Sequence, residues 1–269
     1  MVKSKCPRRV IATRPLAQNT SWCARLESEG FATLGLPLLA ISAVGDKAQQ
    51  NAVKQKIMNF DQYNAVIFVS QNAVDHTYTW LDQYWPQFPE GIQYFAVGAK
   101  TAERAQACLG RGLTDIAIAK NTMTSEELLQ HALLLDVKQQ KILICRGVGG
   151  RGKLAEVLQQ RGAIVDYCEL YHRQIPATAY SELERAALTE NDVISIFSGE
   201  TLKHLIQLAD ASSDRHLREK IRTLPLLLPS KRVADDAAAA GFHYCLVSPN
   251  ASESKMLETL LKEFPEIHS

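Results

Sequence analysis

The residues best placed to do chemistry in this chain are short clusters that follow apolar runs. They are Arg14; Ser70, Gln71 and Asn72; Gly98, Lys100 and Thr101; Arg146, Gly149, Gly150 and Arg151; Ser198 and Gly199; and Ser230 with Lys231. Ser125 stands at the head of another helical pattern. In a parallel α/β sheet such positions lie just past the carboxyl ends of the strands, where helices begin and ligands bind. The set is mostly Gly, Ser, Thr and Asn with a few cations. It lacks paired carboxylates, a Ser/His/Asp set in recognisable context and metal-ligand spacing. Its chemistry suits anions, held by backbone N–H groups and the positive ends of helices.

The elements that must position these residues are legible in Lys141–Arg173. A short apolar run, Ile142–Cys145, reads as a buried strand. A turn rich in glycine and arginine follows. Next comes a helical pattern with Leu154, Val157 and Leu158 on one face, stopped by Gly162, and then a second strand leading into Tyr171. The chain has built this unit once before, over Arg9–Ile41. Arg14 and Arg146, Leu26 and Leu158, and Gly30 and Gly162 are each 132 residues apart. Ala65–Ser70 resembles Val193–Ser198, and Gly98–Ala102 aligns with Ser230–Ala234 at the same spacing. The chain is therefore an internal duplication of about half its length, which predicts two similar α/β lobes. Further strands are expected at Tyr94–Val97, Ile116–Ala119, Leu224–Leu228 and Tyr244–Val247, with a capping box at Thr124–Glu127. Strands alternating with helices predict parallel sheets covered by helices. Trp80, Tyr84, Trp85 and Phe88 should pack a helix end and loop rather than stack on bases.

Composition narrows the function. At 269 residues the chain suits one large or two ordinary domains, and a 46% hydrophobic content is enough for packed cores. A net charge of +1 argues against a nucleic-acid surface. The six cysteines are scattered, fitting neither a zinc site nor a disulfide scaffold, and are expected as small buried hydrophobes in a reducing compartment. The basic N-terminus runs straight into a strand without an apolar signal region, and no run approaches the ~20 apolar residues of a membrane span. A cytoplasmic protein without membrane contact is expected.

The central turn carries two nucleotide-like patterns. Gly147-x-x-x-x-Gly152-Lys153 is nearly a phosphate loop, but Leu154 stands where Ser or Thr should reach magnesium. Gly147-x-Gly149-x-x-Gly152 matches the dinucleotide fingerprint, with Asp166 or Glu169 about 20 residues on. The duplicate turn, Arg14–Asn19, has no glycine, whereas the arginine recurs in both copies. That leaves three candidate uses for the glycines: a dinucleotide, helix packing, or acidic groups other than a nucleotide.

Five motifs in order resemble the uroporphyrinogen-III synthase family over essentially the whole chain. They are Val10–Pro15, Phe68–Val74, Ala96–Ala102, Leu143–Arg151 and Glu169–Arg173. The resemblance implies cyclisation of the linear tetrapyrrole hydroxymethylbilane to uroporphyrinogen III, with its last ring inverted and water lost, without cofactor or metal. The substrate is a polycarboxylate, which the strand-end residues suit. The resemblance implies two lobes, each a parallel sheet flanked by helices, joined by two extended crossing strands. One lobe would be 1–37 with 174–269 and the other 42–168, with linkers 38–41 and 169–173; periodicity alone would cut the chain near residue 140. Tyr171 matches the family's tyrosine beside the cleft, where its phenol could donate to the leaving oxygen. Arg14, Ser70, Gln71, Asn72, Gly98, Lys100, Thr101, Ser125, Arg146, Gly149, Gly150, Arg151, Ser198, Gly199 and Ser230 are then expected to bind substrate. A monomer is expected, with transient contact with hydroxymethylbilane synthase. Two features depart from the family: Val233 replaces a threonine, and Glu200 puts a carboxylate near an anion site. A dinucleotide-dependent enzyme and a non-catalytic two-lobed binding protein are the alternatives.

Overall fold

The computed structural model describes residues 8–110, 116–118, 125–150 and 152–265, with 116–118 and 125 as backbone alone. In chain order, β1 (Arg9–Ala12), α1 (Leu16–Ser28) and β2 (Ala32–Gly35) come first. They are followed by β3 (Ala40–Ala43), α2 (Lys47–Met58), β4 (Ala65–Phe68), α3 (Gln71–Tyr84), β5 (Gln93–Ala96) and α4 (Ala99–Leu109). Next are β6 (Ile116–Ile118), α5 (Ser125–Leu128), β7 (Lys141–Gly147), α6 (Lys153–Gln160) and β8 (Ile164–Gln174). The last elements are α7 (Ala179–Arg185), β9 (Asp192–Ser195), α8 (Gly199–Ala211), α9 (Arg215–Thr223), β10 (Leu226–Leu228), α10 (Lys231–Ala239), β11 (Cys245–Val247) and α11 (Glu253–Glu263). Ala119 and Thr124 lie outside the described residues.

The chain divides into two compact units, Met1–Ala40 with Gln174–Ser269, and Ile41–Arg173. Residue 140, where periodicity alone would cut, falls inside the second unit. The first unit holds a sheet ordered β2-β1-β9-β10-β11, and the second holds β8-β7-β4-β5-β6 with β3 beyond β8. Apart from β3 the two orders correspond strand for strand. Each unit combines a strand–helix–strand piece from one repeat copy with three strands from the other. A fixed spacing of 132 therefore marks equivalent positions in different units, not two halves that fold separately.

These strands are apolar because helices cover both faces of a parallel sheet. In β4, Ala65 and Ile67 enter one core while Val66 and Phe68 enter the other, the two-residue period of a strand. β1 does the same in the first unit, with Ile11 on one side and Val10 and Ala12 on the other. Trp22 anchors this second side, fully buried, and its indole N–H donates to Ser195 Oγ at 3.2 Å. The aromatic group Trp80, Tyr84, Trp85 and Phe88 packs on the β4–α3 core, and Trp85 Nε1 donates to the Ile57 carbonyl at 2.7 Å.

The two copies differ in one respect. β8 runs unbroken through Glu169–Arg173, whereas in the first copy β2 stops at Gly35 and β3 starts at Ala40. Pro37 falls in that gap, and its missing N–H cannot join a ladder. Where the copies agree, the reason is conformational. Gly30 and Gly162 follow α1 and α6 with φ of 84° and 87°, the left-handed form that closes a helix. Gly162→Ala would impose that φ on a residue with a Cβ, and Lys138 Cγ lies 3.3 Å from the added atom. The expected cost is ~1–2 kcal/mol, read as a lower denaturation midpoint at unchanged slope.

Candidate active site

In the second unit the site is built where β4, β7 and β8 end. Ser70 follows β4 and caps α3, its Oγ accepting from the Ala73 N–H at 3.1 Å. Tyr171 comes from β8. β7 and β8 pair in step as far as Arg146 with Glu169; a register shift then sets Gly147 opposite Tyr171, skipping Leu170. Such an irregularity re-aims a side chain. It brings the Tyr171 ring against Gly147, where a Cβ would lie 2.7 Å from Cε2. His76 of α3 stacks on the same ring, with centroids 5.3 Å apart and planes 19° apart. The phenol oxygen sits 2.8 Å from Ser70 Oγ. Tyr171 is only 2% exposed and Ser70 is half-buried. Burial pushes the His76 imidazole below its ordinary pKa, against the pull of Asp75, which favours a neutral ring at pH 7.

The neighbouring start of α4 is tied to this point, since Gln71 Nε2 donates to the Lys100 carbonyl at 3.2 Å. Gly98 caps α4 at φ 87°, and its carbonyl accepts from Thr101 and Ala102. Asn72 is half-buried and Lys100 exposed, but Thr101 lies on the buried face of α4. Ser125 begins α5, with its side chain outside the described residues, as is Arg151.

The central turn uses its polar groups internally. Arg146 is 7% exposed; its guanidinium lies 4.5 Å over the Tyr167 ring, and its Nε is 3.7 Å from a Glu169 oxygen. The Gly149 N–H, expected to meet an acidic ligand, donates to the same Glu169 oxygen at 3.0 Å. Gly150 has φ 98°, and a Cβ there would meet Arg146 Nη2 at 2.7 Å. The glycines thus make room for Tyr171 and Arg146. Glu169, the acid a dinucleotide site would turn to a ribose, is held by the turn itself.

The first unit repeats the frame with other contents. Arg14 stacks on Phe197 at 4.4 Å, receives support from Gln18 at 3.1 Å and pairs with Glu253. Here the turn is tied by Asn19, whose side chain donates to the Ala12 carbonyl at 2.8 Å and accepts from the Arg14 N–H at 3.1 Å. Ser198 caps α8 as Ser70 caps α3, but its hydroxyl meets Thr201 Oγ1 at 2.9 Å rather than a phenol. The position equivalent to Tyr171 is Leu39. Ser230 caps α10, and Arg232 Nη1 lies 3.8 Å from where a Cβ on Gly199 would be. The hydroxyl–phenol pair therefore belongs to the second unit alone.

Sequence reasoning missed His76. His76 carried no signal, because its importance comes from a ring supplied by β8, 95 residues away in sequence. Among the described residues no group of His, Cys, Asp and Glu could hold a metal, and no helix is long and apolar enough to cross a membrane. Cys145 and Cys168 are fully buried on paired strands; their mutual hydrogen bond and burial push the Cys168 thiol well up, so it is no nucleophile at neutral pH.

The family model for uroporphyrinogen-III synthase HemD matches residues 21–258. The chain belongs to the uroporphyrinogen-III synthase family. It is 29% identical over 255 residues to the Escherichia coli uroporphyrinogen-III synthase, covering 93% of this chain and 99% of that one. Identity to the Proteus mirabilis enzyme is also 29%, over 74% of this chain and 96% of the relative. In fold it resembles a mutant uroporphyrinogen III synthase from Thermus thermophilus (TM-score 0.58, 18% identity, 96% and 99% of the two chains). The Helicobacter pylori uroporphyrinogen-III synthetase is similar at TM-score 0.59 and 14% identity, over 95% and 99%.

Proposed function

We propose that this protein converts hydroxymethylbilane to uroporphyrinogen III, with loss of water and inversion of the last ring. Family membership across residues 21–258 carries this reading. The reaction needs the terminal hydroxyl to depart, leaving an electrophilic azafulvene. The last ring then attacks through its substituted carbon to form a spiro intermediate, which fragments and recloses with that ring turned over. Holding the chain ends so that spiro attack outruns simple closure is a matter of orientation. In the second unit, acidic arms would meet the helix starts at Gln71–Asn72 and Gly98–Thr101, through N–H groups and short hydroxyls; Ser198–Gly199 and Ser230 are helix starts of the same kind in the first unit. Arg14 and Arg146 would act by shaping the strand ends, since both guanidinium groups are already paired with carboxylates. We place the protein in the cytoplasm as a monomer that receives its substrate from hydroxymethylbilane synthase by transient contact.

The Tyr171 phenol assists departure of the hydroxyl as a proton source. Tyr171→Phe should fold as the parent does and lower kcat about 10²-fold, while KM stays close to the parent value. Unchanged turnover would make Tyr171 a packing residue. The activity itself is tested by supplying hydroxymethylbilane and resolving the product isomers by chromatography. Type III product well above the enzyme-free rate is expected; type I alone would reject the assignment. Protection against heat by NAD would instead favour a dinucleotide enzyme.

A further inference from the structure

We propose that Ser70, not Tyr171, is the group that touches the leaving oxygen, and that the phenol acts through it as the second member of a proton relay. The inference rests on the reading of the protein as a hydroxymethylbilane cyclase. A hydroxyl must come within about 2.6–3.2 Å of an oxygen to protonate it. Tyr171 is shielded from any ligand by its own packing: it lies against Gly147, stacks on His76 and is 2% exposed. To reach a substrate it would have to leave both contacts.

Ser70 has no such obstacle. It is half-buried at the end of β4, beside the exposed Gln71. A serine hydroxyl offers one donor and two acceptor positions. The Ala73 N–H takes one acceptor position at 3.1 Å, and Tyr171 lies 2.8 Å away at the other. Because a phenol is a stronger acid than an alkyl hydroxyl, Tyr171 is the donor in that pair. With both lone pairs engaged, the free valence of Ser70 is its proton. Ser198, at the matching place in the other unit, spends its hydroxyl on Thr201 and has Leu39 in place of a phenol.

The step balances without a co-reactant. The C–O bond of the hydroxymethyl group breaks with its electron pair on oxygen. That oxygen takes the Ser70 proton and departs as water, while Ser70 takes the phenolic proton of Tyr171. The azafulvenium left behind loses its pyrrole N–H proton to solvent, and the Tyr171 phenolate is reprotonated back through Ser70. His76 is a positioning residue here, keeping the phenol aimed at Ser70.

The test is a double-mutant cycle on the full chain with hydroxymethylbilane, measuring kcat, KM and isomer ratio for Ser70→Ala, Tyr171→Phe and the pair. Ser70→Ala should lose about 10²-fold in kcat with KM little changed, and what product remains should shift toward type I. The double variant should be no slower than Ser70→Ala. Ser70→Thr, which restores a hydroxyl and a helix cap, should recover most of the loss. Ser70→Asn, which caps as well as serine but is no acid, should melt with the parent and stay slow, separating chemistry from stability. Retained kcat in Ser70→Ala beside a slow Tyr171→Phe would overturn the relay and leave the phenol acting directly. Losses that multiply in the double variant, or a fast Ser70→Asn, would also overturn it. A parent protein that makes no type III product would instead remove the underlying reading.

Discussion

Arg9→Met is expected to destabilise the first unit by about 3–5 kcal/mol, the largest stability loss foreseen for a single change here. Arg9 and Asp192 are direct partners on β1 and β9, with Arg9 Nε and Nη2 donating to the two carboxylate oxygens at 2.8 and 2.7 Å. The pair is lopsided, because the Arg9 side chain is 28% exposed and that of Asp192 only 1%. Removing the arginine leaves a carboxylate in a sheet interior with the Thr189 N–H, at 2.7 Å, as its remaining hydrogen bond among the described contacts. The arginine also accounts for the strand entry, since Nη2 donates to the Ala186 carbonyl at 2.9 Å. Asp192→Asn should cost less, because it removes the buried charge and leaves a cation that water can reach. Chemical denaturation of the parent and both variants decides the matter. Equal losses would contradict the asymmetry, and losses under about 1 kcal/mol in both would make the pair no better than a surface ion pair.

Gly147→Ala is expected to have the largest effect on activity relative to the size of the change. One methyl would stand 3.0 Å from Tyr171 Cζ and only 2.7 Å from Cε2, a separation that real Cβ atoms essentially never show. The Tyr171 ring is also confined by His76, so it cannot yield without losing the 2.8 Å contact to Ser70. Overpacking of this kind typically costs about 1–3 kcal/mol. Displacing the donor pair should lower kcat as far as Tyr171→Phe does, about 10²-fold. Steady-state kinetics with a melting curve checks both. An active Gly147→Ala protein would show that the ring and Ser70 need not meet.

The duplication could be read from residue spacing because it lives in local features: strand-end residues, helix-closing glycines, serine caps. Gly30 and Gly162 show the same φ because both ends obey the same backbone rule. The division into units was hidden from spacing, since each unit draws strands from both copies and spacing records ancestry rather than contact. The helix starts were legible to the same depth. Ser70, Gly98, Ser198 and Ser230 all stand at helix starts, as their types and positions predict. What could not be read was the partner each residue finds across the fold. Gly147 looked like part of a phosphate turn, and it is a glycine because a tyrosine from the next strand lies on it. Arg146, a candidate for substrate binding, is buried on Tyr167 beside Glu169. Asn19 and the central glycines solve one turn in two chemically unrelated ways, so comparison of the two copies could not show that the turns are equivalent in purpose.

This scaffold turns the last ring over as it closes the macrocycle. The direct measurement supplies hydroxymethylbilane labelled with carbon-13 at the hydroxymethyl carbon and follows a single turnover by NMR. The label is expected to become the bridging carbon of the type III isomer, next to the inverted ring, far faster than in the enzyme-free control. Label appearing only in the type I isomer, at the control rate, would contradict it.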